Sequence, residues 1–191
     1  MQEMLWTLLV TSLCFTTTRV QAACAKPEVQ KDFNFLEYLG TWFEIQRSSN
    51  VDFENGKCIA TTYSRKSPVA LGVRWQELVD KKVKSHDAEL YPTSTKEPAK
   101  LFYSSTSPFK PSFEDFPYWV LSTDYKNYSL VYSCFVNLGI FSTQSDHYWI
   151  FSRQMHLPEN TTNQLHEILA SYNIATKNIA TVDHEDCSSF I

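Results

Sequence analysis

Eight segments with strand character follow one another along the chain, roughly every 10 to 15 residues. Each is rich in aromatic and β-branched residues, and turn formers such as Asn55-Gly56 and Ser67-Pro68 separate them. The segments are Thr41–Ser49, Cys58–Arg65, Leu71–Val79, Val83–Tyr91, Ala99–Ser105, Pro117–Thr123, Tyr128–Val136 and His147–Gln154. This order predicts an all-β fold, an eight-stranded antiparallel up-and-down barrel, which has room inside for one small ligand.

One stretch near the C-terminus has helical periodicity. After Pro158, a residue suited to the first position of a helix, the apolar residues Leu165, Ile168, Leu169 and Tyr172 follow at i, i+3, i+4 and i+7. We expect one α-helix packed on the outside of the barrel. An immunoglobulin-like sandwich is the competing architecture, but it expects about seven strands, a Cys…Trp…Cys arrangement and no late helix.

The N-terminus predicts a secretory signal peptide, residues 1–22. Leu5 to Phe15 is an apolar run too short to span a membrane, and Val20-Gln21-Ala22 is a small-residue cleavage pattern. Cleavage after Ala22 leaves a single domain, residues 23–191. The rival reading is a bacterial lipoprotein cleaved before Cys24, but that signal requires Leu where Gln21 stands. We therefore expect a secreted, extracellular protein.

The cysteine count agrees with export. Four cysteines remain after cleavage, namely Cys24, Cys58, Cys134 and Cys187, and an even number in an exported chain predicts two disulfides with three possible connectivities. No two of them have a metal-ligand spacing, so no metal site is expected. Asn127-Tyr128-Ser129 and Asn160-Thr161-Thr162 are glycosylation sequons.

Composition and motifs exclude several classes of protein. Hydrophobic residues make up 43% of the chain, which excludes a disordered chain, and the net charge of -4 argues against nucleic-acid binding. The sequence contains no G-x-S-x-G, H-E-x-x-H, G-x-G-x-x-G or P-loop motif, and none of its five histidines are spaced at i, i+4. We expect no catalytic residues and no built-in cofactor.

Three motifs in order resemble those that define the lipocalins. Gly40-Thr41-Trp42 opens the first strand, Thr123-Asp124-Tyr125 lies between the sixth and seventh, and Ser152-Arg153 ends the eighth. The resemblance extends from about Pro27 to Cys187. Within the family it is closest to the apolipoprotein D and insect bilin-binding branch, through the segments Phe53–Cys58, Glu97–Leu101 and Tyr118–Tyr125.

The resemblance implies roles for these residues. Trp42 closes the narrow end of the barrel with Arg153 across it as a cation-π partner, and Asp124 and Tyr125 serve turn geometry. All are scaffold residues. The resemblance also implies pairing Cys24 with Cys134 and Cys58 with Cys187, each bond tying a terminal arm to the outside of the barrel.

Strand parity then predicts the residues that line the interior. If Cys58 and Cys134 face outward, the alternation of side chains along a strand turns their immediate neighbours inward, together with every second residue beyond those neighbours. Trp149 and Tyr63 resemble pocket residues of the family, and Trp75 stands where relatives keep a polar residue. The expected ligand contacts are Thr61, Tyr63, Trp75, Ser133, Phe135, Trp149 and Phe151, with His147 as a further polar group. The competing interpretation is that these rings form a filled core.

The resemblance implies a carrier of one small hydrophobic ligand, such as a fatty acid, a steroid or a similar lipid. A biliverdin-binding chromoprotein is an alternative, and a lipid-modifying or antioxidant enzyme is a weaker one. Against the enzyme, all four mature cysteines are expected to be bonded, and residues 107–116 contain no Met.

The loops at the expected open end offer a possible interaction surface. Phe109, Phe113 and Phe116 would form an apolar patch able to contact a lipid particle or a membrane surface if they are exposed together. Alternatively, some of these rings fold back and plug the mouth of the barrel.

Overall fold

The computed structural model describes residues 24–51, 54–106, 115–137 and 143–187. The predicted signal peptide lies outside them. The strands are β1 (Gly40–Ser48), β2 (Lys57–Ser67), β3 (Ala70–Val79), β4 (Lys82–Pro92), β5 (Lys100–Ser105), β6 (Asp115–Thr123), β7 (Tyr128–Asn137), β8 (Thr143–Ser152) and β9 (Ile179–Thr181). The helices are α1 (Phe35–Tyr38) and α2 (Glu159–Ser171). Neither described helix is both long and apolar enough to cross a lipid bilayer.

Strands β1 to β8 form a closed antiparallel barrel. Each strand from β2 to β8 pairs with the next, and β1 closes the barrel by pairing with both β8 and β2. The predicted eight-stranded up-and-down architecture is confirmed. Trp42 marks one end of the barrel, called here the closed end. The opposite end, where β1 leads into β2, is called the open end.

A bulge in β1 changes its neighbours halfway along. Its first residues pair with β2, the register shifts between Glu44 and Gln46, and its last residues pair with β9. The C-terminal segment is also hydrogen-bonded to both flanking strands. The Val182 amide donates to the Ile45 carbonyl of β1 at 3.0 Å, and the Cys58 amide of β2 donates to the Asp183 carbonyl at 2.9 Å. Residues 179–183 therefore fill the gap that opens between β1 and β2 towards the open end.

Apolar side chains form an inner and an outer layer. The larger cluster lies inside the barrel and includes Trp42, while a second cluster lies between the barrel wall and α2. Leu165 and Leu169 of α2 are buried there, with Ile168 and Tyr172 half-buried beside them. The predicted amphipathic helix on the outside is confirmed, although Pro158 precedes the helix as its N-cap and Glu159 is the first helical residue.

Several predicted bounds were wrong. β8 begins at Thr143 and ends at Ser152, because the polar residues 143–146 pair with β7 although they show no apolar alternation. β6 begins at Asp115, two residues early, because Phe116 pairs with Tyr103 of β5. The short elements α1 and β9 were not predicted.

Both implied disulfides are present. Cys24 is bonded to Cys134, 110 residues away, and Cys58 to Cys187, 129 residues away. The first ties the N-terminal arm to β7, and the second ties the C-terminal segment to β2 beside the gap in the wall. The implied pairing is confirmed.

Candidate ligand-binding site

The closed end is sealed by Arg153 lying over Trp42. The guanidinium carbon is 3.8 Å from the centroid of the indole ring. Its nitrogens donate bonds of 3.0 Å to the carbonyls of Glu37, Thr41 and Tyr125, which belong to three separate segments. This is the scaffold role that the sequence implied for Trp42 and Arg153.

The same contact requires a glycine at position 40. It has a φ of +96°, a region that favours glycine, and a Cβ built there would lie 3.2 Å from Nη1 of Arg153. The glycine of the first motif therefore permits the close approach of the arginine.

The turn between β6 and β7 is built by Asp124. Its Oδ1 accepts from the backbone N–H groups of Lys126, Asn127 and Tyr128. Burial raises the pKa of this carboxyl, but these bonds and one from Asn127 Nδ2 outweigh it and lower the pKa below its usual value. With Thr123 Oγ1, which accepts from the Tyr125 amide, these residues form the turn that the motif implied.

A cluster of hydroxyl groups forms the floor of the barrel above Trp42. The hydroxyl of Tyr118 lies 2.6 Å from that of Tyr63 and 3.4 Å from that of Tyr38, and Tyr38 is 2.8 Å from Ser129 Oγ. Burial raises the pKa of Tyr38 to about 12, so these groups stay neutral. Tyr63 is thus part of the floor, where its hydroxyl is already hydrogen-bonded to that of Tyr118.

Aromatic side chains form a continuous series across the half of the interior that lies nearer the open end. This half is called here the upper half, and the half nearer Trp42 the lower half. Trp75 stacks on His86 with 4.8 Å between centroids, and His86 Nε2 lies 2.7 Å from the Tyr103 hydroxyl. Tyr103 stacks on Phe116 at 4.5 Å, and Phe116 lies 6.1 Å from Trp149. These rings come from five different strands and form an apolar wall.

The expected ligand contacts divide between the two halves of the barrel. Trp149, Ser133 and Trp75 lie in the upper half, where Phe135 contacts both Phe116 and His147. Tyr63 and Phe151 belong to the lower half. All are buried except Phe135, which is half-buried: Thr61, Tyr63, Trp75, Ser133, Phe135, Trp149 and Phe151.

Several buried polar atoms of the barrel have no hydrogen-bond partner among the described residues. Two of them lie among these rings, namely the hydroxyl of Ser133, which is 0% exposed, and Nε1 of Trp75. Buried polar groups are normally hydrogen-bonded, because leaving one unpaired costs about 1–3 kcal/mol. Both atoms are therefore candidate partners for a polar group of a bound molecule.

The segment between β1 and β2 enters the open end of the barrel. Its described residues, 49–51 and 54–56, are called here the mouth segment. Val51 is buried in the interior cluster, and the buried carboxylate of Glu54 accepts a bond of 3.0 Å from Nε1 of Trp149. Glu77 holds the end of the segment, since its Oε2 accepts from the amides of Asn55 and Gly56 at 3.1 and 2.7 Å.

Charged residues inside the barrel were missed by sequence reasoning. Arg47 Nη1 donates to Glu44 Oε1 at 2.9 Å, and its Nη2 donates to the Glu54 carbonyl. Arg47 Nε is 3.6 Å from Glu54 Oε2. Burial raises the pKa of Glu54 to about 7 and that of Glu44 well above its usual range. The only signal in the sequence is that Glu44 shares strand parity with Trp42.

Of the two alternatives for Phe116, exposure on an apolar patch or folding back into the mouth, the structure shows the second. Because β6 begins at Asp115, Phe116 faces the interior and is 7% exposed, stacked between Tyr103 and Trp149. Phe109 and Phe113 lie outside the described residues. The fold-back alternative therefore holds for Phe116.

The two sequons lie away from the interior. Asn127 is exposed in the closed-end turn, and Asn160 is exposed in the first turn of α2. Within the described ranges, no three His, Cys, Asp or Glu side chains are grouped so that they could hold a metal ion.

Comparison with known proteins agrees with this geometry. A family model described as a lipocalin-like domain matches residues 33–184. The chain belongs to the lipocalin family. It is 41% identical over 168 residues to apolipoprotein D of Macaca fascicularis, covering 87% of this chain and 85% of that protein.

More distant lipocalins share the fold. Insecticyanin-A of Manduca sexta is 28% identical over 155 residues, covering 78% of each chain. The crystal structure of insecticyanin from the same insect, the tobacco hornworm, superposes with a TM-score of 0.71 at 22% identity, covering 86% of this chain and 88% of that one. The family and branch inferred from the motifs are thus confirmed.

Proposed function

We propose that this lipocalin is a carrier that binds one small hydrophobic molecule inside the upper half of its barrel. The observation on which this rests is the aromatic wall from Trp75 to Trp149, in which the Ser133 hydroxyl and Trp75 Nε1 lack partners among the described residues. In a filled core that binds no ligand, the buried polar atoms among the rings would normally be hydrogen-bonded within the protein. Such a wall holds a ligand by apolar burial, and the polar atoms orient it.

The ligand class we propose is a fatty acid, a steroid or a similar lipid. The likeness to apolipoprotein D supports lipid transport. A ligand of about 25 heavy atoms at roughly -0.3 kcal/mol per atom would bind with a dissociation constant near 1 μM.

A pigment is the second candidate. The relationship to insecticyanin and the resemblance to bilin-binding lipocalins favour biliverdin as the alternative ligand. Absorbance of the protein purified from its natural source distinguishes the two, because a bound bilin colours the protein.

We further propose that the chain is secreted, cleaved after Ala22 and glycosylated at Asn127 and Asn160. The two disulfides support this, since such bonds persist in oxidising compartments. Contact with a lipid particle would fall to Phe109 and Phe113, because Phe116 is committed to the interior.

Binding rather than catalysis is the activity we propose. Histidines are the usual general bases, but Nε2 of His86 is engaged by the hydroxyl of Tyr103 at 2.7 Å. The cysteines of the described chain are consumed in disulfides, which removes thiol chemistry.

A ligand panel tests the carrier function. Native mass spectrometry of the mature protein with fatty acids, steroids, retinoids and biliverdin should show saturable complexes of one ligand per chain. If no member of the panel binds at micromolar concentration, the interior is a filled core and the proposal is wrong.

A further inference from the structure

The hairpin between β3 and β4 extends beyond the rim of the barrel at the open end. Every residue from 80 to 85 is exposed, so both faces of the chain are in solvent there, whereas a strand in the barrel wall buries one face. β4 pairs with β3 from Lys82 onward, but its pairing with β5 begins at Ala88. Residues 78–85, called here the basic hairpin, therefore project from the wall towards whatever the open end meets.

Positive charge is concentrated on the basic hairpin. Lys81, Lys82 and Lys84 are exposed, and Asp80 is the one carboxylate among residues 78–85. The hairpin thus has three lysines against one carboxylate, although the whole chain carries a net charge of -4. A local excess of positive charge on a negatively charged protein favours an anionic partner at this place.

Neighbouring carboxylates do not neutralise these lysines. Lys84 Nζ is 4.0 Å from Oε1 of Glu77, but the Lys84 side chain remains 61% exposed. Oε2 of Glu77 is already taken up by the amides of the mouth segment. Asp115 and Asp146, at the same end of the barrel, belong to β6 and β8, neither of which pairs with β3 or β4.

The turn at the tip places a lysine where glycine is favoured. Asp80 and Lys81 have φ angles of +49° and +62°, the left-handed conformation that both central residues of a tight two-residue hairpin turn adopt. Glycine takes this conformation at the lowest cost, and Asp-Gly is a preferred pair for such a turn. Lys81 therefore keeps a charge at the tip at the expense of backbone strain, which is characteristic of binding surfaces.

Apolar side chains stand beside these charges. Val83, between two of the lysines, is 53% exposed, and its cross-strand partner Leu78 is half-buried on the same face of the hairpin. Segments that bind a membrane surface combine the same two features, since apolar groups enter the head-group region and lysines reach the anionic groups. A soluble polyanion would leave Val83 in water, so the exposed valine favours a bilayer.

We propose that the basic hairpin docks the open end of the barrel onto a membrane surface that exposes anionic phospholipids. Lys81, Lys82 and Lys84 pair with the lipid head groups. Val83 and Leu78 enter the head-group region beside them. This docking goes beyond the proposed carrier function and does not require a ligand in the barrel.

Co-sedimentation with vesicles tests the docking. The mature protein is mixed with large vesicles of phosphatidylcholine, either pure or with about 30% phosphatidylserine, in about 0.1 M salt. It should partition onto the anionic vesicles at least about tenfold more strongly than onto the neutral ones, and added salt should release it, because salt screens exposed charges. In Lys82→Gln/Lys84→Gln the preference for anionic vesicles should be lost, at about fivefold per lysine.

Lys81→Gly separates the charge from the fold. Glycine relieves the strain of the turn, so this variant should melt at a temperature equal to or above that of wild type. It should nevertheless bind anionic vesicles about fivefold more weakly. A lysine that only kept the hairpin soluble would show no such loss of binding.

Lys96→Gln/Lys126→Gln is the matched control, because it removes the same charge from exposed turns at the closed end. It should keep the preference for anionic vesicles. The proposal would be overturned by absent or equal binding to the two kinds of vesicle, by an equal loss in the control variant, or by binding to heparin without binding to anionic vesicles. The carrier function stands in each of these cases, because a ligand titration without vesicles measures it separately.

Discussion

Nε1 of Trp149 and Oε2 of Glu54 are joined by a hydrogen bond of 3.0 Å across the open end of the barrel. Trp149 belongs to the wall, whereas Glu54 belongs to the mouth segment, which leads from β1 to β2. Trp149, one of the expected ligand contacts, therefore also anchors the mouth segment. Binding and the position of the mouth segment must be coupled.

Protonation of the Glu44–Glu54 pair should make stability depend on pH. Burial raises the pKa of Glu54 from 4.5 to about 7, so between these values the folded chain holds a proton that the unfolded chain has released. The contribution of this pair to the free energy of unfolding is thus highest at low pH and falls as the pH rises towards 7. Urea unfolding at pH 5 and pH 8 should show a smaller fall for Glu54→Gln than for wild type.

His86 and His166 act in the opposite direction, because burial lowers their pKa values. Both proteins share these histidines, so the difference between wild type and variant isolates the carboxyl pair. Identical pH profiles would mean that Glu54 is not protonated in the folded chain.

Arg153 should be needed for its hydrogen-bond geometry as well as its charge. Lysine retains the charge but cannot reach the carbonyls of Glu37, Thr41 and Tyr125 together. Arg153→Lys should lower the free energy of unfolding by about 2–3 kcal/mol. Arg65→Lys, on an exposed position of β2, should change it by less than about 0.5 kcal/mol. Comparable losses in denaturant titrations of the two variants would argue against the seal at the closed end.

The Cys58–Cys187 bond should stabilise the fold and hold residues 179–183 in the gap of the wall. Closing 129 residues contributes about 4–5 kcal/mol in the chain-entropy model. The double variant Cys58→Ala/Cys187→Ala should melt at a markedly lower temperature, and amide exchange should speed up first at Val182, which donates to Ile45. Unchanged protection at Val182 would show that the segment stays in place without the bond.

Glycosylation at Asn127 should leave ligand binding unaffected. Asn127 lies beside Arg153, whose amide donates to the Asn127 carbonyl at 3.1 Å, and so at the closed end of the barrel. Asn127→Gln should retain wild-type affinity in a ligand titration. A several-fold change in a folded variant would mean that the ligand enters at this end.

The sequence predicted the strands because alternation of apolar residues reports which side of the wall is buried. Thr61 and Tyr63 of β2 are buried as parity required, and Trp75 lies opposite Thr61. α1 and β9 escaped prediction because they span four and three residues, too few to show a period. β9 exists because β1 offers it an unpaired edge, which is a tertiary effect.

The charged cluster could not be predicted for a different reason. Glu44 follows Trp42 at the spacing of one face, but Arg47 comes three residues later and would face outward in a regular strand. The bulge between Glu44 and Gln46 turns Arg47 inward, opposite Trp149. A bulge leaves no mark in the apolar pattern, and Glu54 reaches the cluster from outside the strands.

The affinity of a Trp149→Ala variant, set against Trp119→Ala, tests the central claim that the ligand lies inside the barrel. Trp119 lies on the outer face of the wall, under Lys100 and beside Tyr132. With the tightest-binding member of the panel, Trp149→Ala should weaken binding by about 1–3 kcal/mol, whereas Trp119→Ala should leave affinity unchanged. Equal affinities in both variants, or a loss confined to Trp119→Ala, would place the ligand outside the barrel and contradict the account.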